Sequence, residues 1–226
     1  MPRPLLTAVG LWLLLQLLPG SPVLASVDPW ASVTYRPQAV DDYVAEAQAA
    51  ITKGRPLEAI KAFRAAVDLA PGRADLWYRL AETLQNVDQP GEAVQAYDRV
   101  LALRPDLPAP WCGKGLALSG LERYRQAAEA FARCRALAPE RPQVALNLGI
   151  ARLRAGDAAG AVEPLAQAAA AMPDDELAGR SLVTALRLAG RLGESISRAR
   201  QMLARHPASP QLRYQLALSL AATGER

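Results

Sequence analysis

Histidine is almost absent: His206 is the only one in 226 residues, and the only cysteines are Cys112 and Cys134. A zinc or iron site built on imidazole and thiolate needs several such groups at ligand spacing, and the chain has no such cluster. It also lacks a Gly-rich phosphate-cradling loop and a nucleophile elbow. Paired carboxylates do occur, at Asp41-Asp42 and Asp174-Asp175. Both pairs fall near expected helix starts, where a negative charge offsets the helix dipole, which is a simpler role than general acid or base. No enzyme activity, metal, cofactor or small-molecule substrate is expected.

Lysine is scarce as well, confined to Lys53, Lys61 and Lys114, so arginine carries most of the positive charge. The formal net charge of +4 is mild and acidic residues are interspersed throughout. Without a basic block or an aromatic-basic module, nucleic acid is not an expected partner. Aromatics make up only 5% of the chain, and Ala, Leu and Arg dominate. That composition favours helix over strand.

The one long apolar run, Leu5 to Leu18, follows Arg3 and gives way to Pro19-Gly20 and small residues. It falls short of the roughly 20 residues a membrane-spanning helix needs. The pattern reads as a secretory signal peptide over 1–25, with Val23-Leu24-Ala25 at the cleavage site and a mature chain starting near Ser26. The competing reading is an uncleaved anchor, the only route by which this chain would contact a membrane. No cysteine follows the apolar run, which argues against a lipid-anchored lipoprotein. Residues 26–39 read as a linker in which Trp30 and Tyr35 invite docking. In an exported chain Cys112 and Cys134 could oxidise, but free, helix-packed thiols are the expectation, since cysteine often serves as a small buried apolar residue.

Prolines supply the organisation. Pro71, Pro105, Pro139, Pro173 and Pro207 are each separated by 34 residues. Taking each as position 32 defines five units, 40–73, 74–107, 108–141, 142–175 and 176–209, with one further helix or cap over 210–226. Position 8 then holds Ala47, Ala81, Gly115 and Gly149, and position 20 holds Ala59, Ala93, Ala127 and Ala161. Small residues in pairs mark where two helices cross closely. Position 4 carries Trp77 and Trp111, and position 24 carries Phe63, Tyr97, Phe131 and Leu165. Gly54, Gly156, Gly190 and Gly224 stand at position 15, where a positive φ ends a helix, with Asp88 and Glu122 in the same place in units two and three.

This order of Trp, small, Ala, aromatic and Pro over 34 residues resembles the tetratricopeptide repeat family from residue 40 to 226. The resemblance implies an all-α fold, an α-solenoid of tandem antiparallel helix pairs wound into a right-handed superhelix. It is weakest in unit five, where Gly179, Val183, Ser195 and Ala199 depart from the pattern; that unit is expected to be the least rigid.

In this family the first helices line a groove that binds peptides or protein segments. Positions 2, 5, 9 and 12 share the groove face of such a helix. The side chains expected to face a partner are Tyr78, Glu82 and Gln85 in unit two, Leu116 in unit three, Leu146 and Ile150 in unit four, and Arg180, Thr184 and Arg187 in unit five. Their order runs from polar and acidic through apolar to basic, which suits a segment with an apolar centre and an acidic end. Chaperone-binding members hold a carboxylate with Lys and Asn. Here Val44, Gln48, Tyr78 and Glu82 stand in those places, which excludes a heat-shock co-chaperone role. The function expected is a non-enzymatic scaffold in the bacterial periplasm or cell envelope, or outside the cell. It would hold a protein segment for secretion, pilus, polysaccharide-export or envelope assembly. The alternative is a repeat segment that regulates or anchors a larger envelope enzyme or transporter.

Overall fold

The structure, a computed structural model, describes residues 37–224; the expected signal segment at 1–25, with Trp30 and Tyr35, lies outside the described residues. Among the described residues there are eleven α-helices and no strand. They are α1 (Pro37–Thr52), α2 (Pro56–Leu69), α3 (Ala74–Asn86), α4 (Pro90–Leu103), α5 (Pro108–Gly120), α6 (Tyr124–Leu137), α7 (Pro142–Arg154), α8 (Ala158–Ala171), α9 (Glu176–Leu188), α10 (Leu192–Arg205) and α11 (Pro210–Thr223). Each packs chiefly on its chain neighbours, α1 on α2, α2 on α3 and onward to α11. First helices also meet across pairs, α3 with α5, α7 with α9 and α9 with α11. This is an α-solenoid of consecutive helix pairs.

Local chemistry explains where each helix starts and stops. Proline occupies the first turn of α2, α4, α5, α7 and α11, where its missing N–H has no intrahelical partner to lose. The turn inside every pair repeats one motif. Gly54, Asp88, Glu122, Gly156 and Gly190 all have positive φ, between 58° and 86°. The next residue's N–H then reaches back five residues, from Arg55 to Ala50 O, Gln89 to Leu84 O, Arg123 to Leu118 O, Asp157 to Arg152 O and Arg191 to Leu186 O. This pairing satisfies carbonyls that a helix end leaves open. Of the carboxylate pairs, Asp175 caps α9 by accepting the Ala178 N–H. Asp41-Asp42 instead lies inside α1, because that helix already begins at Pro37, within the stretch expected as linker.

The 34-residue ruler also has a bonding role. Trp77 Nε1 donates to Pro71 O and Trp111 Nε1 to Pro105 O, at 2.9 and 3.0 Å. Arg213, at the same position of the last helix, donates to Pro207 O. The position-4 side chain thus satisfies the turn-proline carbonyl at Pro71, Pro105 and Pro207, and Arg205 of α10 donates to Pro173 O instead.

Close helix crossing builds the core. Ala47, Ala81, Ala59, Ala93, Ala127 and Ala161 are fully buried, and Phe63, Tyr97, Phe131 and Leu165 lie beside them. A Cβ on Gly115 would sit 2.7 Å from the Phe131 ring, and one on Gly149 2.3 Å from Leu165. Unit five solves the same problem with other residues. Met202 fills the space over Gly179, and buried Ser195 donates to Val183 O while hydrogen bonding to Ser219. Its departures from the repeat pattern are therefore coordinated with one another.

Pro164 lies inside α8 and withholds the N–H that Gly160 O would accept. Arg152 Nη1, from α7, donates to that carbonyl instead. Replacing Arg152 with alanine is expected to cost about 1–3 kcal/mol, because it strands a part-buried acceptor. In a Pro164→Ala background the helix restores its own bond, so the same Arg152 change should cost much less. Denaturant titration of the four variants measures the coupling.

The expectation of free thiols is overturned. Cys112 and Cys134 form a disulfide joining α5 to α6, with their Cα atoms 5.3 Å apart. They stand 22 residues apart in sequence, yet antiparallel packing of the pair brings them side by side.

Candidate functional site

Positions 2, 5, 9 and 12 of the first helices form a largely open face. Asp75, Glu82 and Leu116 are exposed, and Tyr78, Gln85, Ile150, Arg180, Thr184 and Arg187 are half-buried. Leu116, 47% exposed, is the most open apolar side chain among the expected site residues. Leu146 departs from expectation: only 1% exposed, it packs with Ala145, Ala178 and Leu182 in the core between α7 and α9. Neighbouring first helices must bury area on each other, and in unit four that contact consumes the groove position. Ile150 lies partly against the same cluster.

Over unit two the face deepens into a groove of about 850 Å³ lined by Tyr78, Asp75 and Glu82 of α3, by Leu103, Leu107 and Pro110, and by Arg73, Arg79 and Arg104. Tyr78 stands edge-on to Tyr97, with ring centroids 6.0 Å apart. Burial, with the Glu82 carboxylate beside it, pushes the Tyr78 phenol up to about 12, so it stays a neutral hydrogen-bond donor at physiological pH. Tyr97 is raised further, chiefly by burial, and donates to Gln85 Oε1 at 3.0 Å. Gln85, expected as a groove residue, therefore satisfies a buried phenol with its carbonyl oxygen. Asp75 is held below the usual carboxylate range, first by its hydrogen bond with Arg73.

The opposite end is basic. Arg180 and Arg187 lie seven residues apart on α9, with Thr184 between them. The Thr184 hydroxyl donates to Arg180 O at 3.0 Å, which leaves its oxygen to accept but spends its proton. Tyr214 of α11, 63% exposed, takes the register place next to Arg180. The list of expected site residues omits it, although counting position 5 into the last helix finds it. Leu103, Leu107 and Pro110 were out of reach of that count, because they lie at the ends and turns of helices rather than on a first-helix face.

The charge changes sign along the chain: 40–107 holds 8 basic and 11 acidic residues, 108–226 holds 16 and 10. Among the described residues no group of His, Cys, Asp and Glu is placed to hold a metal ion. No described helix is long and apolar enough to cross a membrane.

Two family models, each described as tetratricopeptide repeat, match residues 50–111 and 112–176. No curated protein matches the chain. Among solved structures, the chain is similar to MamA, with 19% identity over 76% of this chain and 94% of that one and a TM-score of 0.71. It is similar to YrrB, described as a TPR protein with an unusual peptide-binding site, at 21% identity over 74% and 86% of the two chains and a TM-score of 0.65. PilF of Pseudomonas aeruginosa gives 19% identity over 85% and 88%, with a TM-score of 0.59. At these identities the likeness establishes the fold.

Proposed function

We propose, from the premise that this chain belongs to the tetratricopeptide repeat family, that it is an exported, non-enzymatic scaffold holding a segment of a partner protein. Members of this family generally mediate protein–protein interaction and peptide binding. The observation that carries the reading is the open first-helix face, running from the 850 Å³ groove at Tyr78 past Leu116 to Arg180 and Arg187. Its polar rim, apolar wall and basic end are features that select a peptide rather than a small substrate. YrrB, which shares the fold, is described as having a peptide-binding site.

The setting proposed is the periplasm or cell envelope, in a multiprotein assembly for secretion, pilus formation, polysaccharide export or envelope construction. Two features support it. One is the basic, apolar, small-residue order of 1–25. The other is the Cys112–Cys134 disulfide, a bond that persists in oxidising compartments.

Capture of partners from envelope fractions by wild type and by a Tyr78→Ala, Leu116→Ala, Arg180→Ala, Arg187→Ala variant tests the proposal. Loss of specific partners from the variant, at unchanged helical content, is the expected outcome. Identical partner sets would remove the groove from the function.

A further inference from the structure

The geometry points to an acidic protein segment as the ligand of the α9–α11 end of the groove, held by Arg180 and Arg187 through two carboxylates about three residues apart. This rests on the scaffold reading above and specifies the partner's chemistry.

The first observation is that the charge of these two arginines is not matched within the fold. Neither forms an ion pair among the described residues. The six acids of units four and five all have other partners. Asp157 and Asp175 cap helices, Glu176 accepts from Ser209, and Glu163, Asp174 and Glu194 pair with Arg135, Arg205 and Arg191. The second observation is that Arg187 Nε is buried with no acceptor among the described residues. A buried donor left unsatisfied is costly, and an acceptor arriving with a ligand would remove that cost.

Spacing then narrows the ligand. Seven residues of helix rise about 10.5 Å. A polyproline-II segment rises about 3.1 Å per residue and returns to the same side every third residue, so acidic side chains three apart match the two guanidiniums. Arginine suits the task, since its planar fork pairs with carboxylates bidentately. Exposed Tyr214 and Leu177 flank the pair and offer contact to the apolar parts of the segment. The excess of basic residues beyond 108 adds attraction over a longer range.

The test uses the full chain and a fluorescein-labelled twelve-residue peptide with a central Glu-Ala-Ala-Glu, compared with its Gln-Ala-Ala-Gln counterpart by anisotropy at low salt. Wild type should prefer the acidic peptide by about tenfold, and the preference should shrink as salt rises. It should vanish in Arg180→Gln/Arg187→Gln and survive in Arg200→Gln, which changes an exposed arginine of α10. Circular dichroism checks that the double variant keeps its helices; if it does not, Arg180→Lys/Arg187→Lys, which keeps the charge but loses the fork, should weaken the preference. Equal binding of the two peptides, or a preference that survives in the glutamine variant, overturns the inference. So does tighter binding of a labelled single-stranded oligonucleotide through the same two arginines. If partners are lost from the four-alanine variant while the peptides are bound equally, the scaffold reading stands and the acidic-segment assignment falls.

Discussion

Breaking the Cys112–Cys134 bond should lower stability by about 3 kcal/mol, the loop-closure entropy expected for a cross-link of this span. The bond closes 22 residues and ties α5 to its partner α6. It also acts where the helix is intrinsically weak. Gly113 and Gly115 lie inside α5, and each glycine in a helix interior costs about 0.5–1 kcal/mol relative to alanine. Those glycines cannot simply be replaced, because a Cβ on Gly113 would strike the Tyr97 ring and one on Gly115 the Phe131 ring. The covalent tether thus compensates for a helix kept thin by its neighbours. Denaturant unfolding of the oxidised protein, the reduced protein and Cys112→Ala/Cys134→Ala measures the effect. Three coincident curves would show that the bond restrains nothing.

Phe131→Ala is expected to cost about 3–5 kcal/mol, the range for removing a buried aromatic. Phe131 is only 1% exposed and packs where α5 and α6 cross. Its relation to Gly115 makes the prediction sharper. In wild type, Gly115→Ala brings a methyl to 2.7–2.9 Å from three ring atoms and should destabilise, despite alanine's better helix propensity. In the Phe131→Ala background the ring is gone, so Gly115→Ala should stabilise. The change of sign is the test, read from melting curves of the four proteins. Gly115→Ala having one sign in both backgrounds would show that the ring does not set the crossing distance.

Much of this fold was legible in the sequence because a solenoid is built from local contacts. A residue at position 8 or 20 meets its own pair or the next, so a period of 34 carries core assignments for most of the chain at once. The site was less legible. Leu146 and Leu116 stand at groove positions in successive units, yet one is core and the other open. Leu146 stands at position 5, where it meets Ala178 and Leu182 of α9, whereas Leu116 stands at position 9, and the period does not encode which of these places a neighbouring helix covers. Gln85 likewise reads as a groove residue, until the hydroxyl of Tyr97 is found to need it.

The proline interval and the small-residue pairs were sufficient to determine the helix pairs and their register. They act through backbone sterics and helical periodicity, which are properties of a segment and its near neighbours. Tertiary structure alone decided the pairing of Cys112 with Cys134, the donation by Arg152 to the carbonyl stranded by Pro164, and the burial of Leu146. Each depends on the distance and angle between two packed helices, which side-chain volumes across the whole interface set jointly.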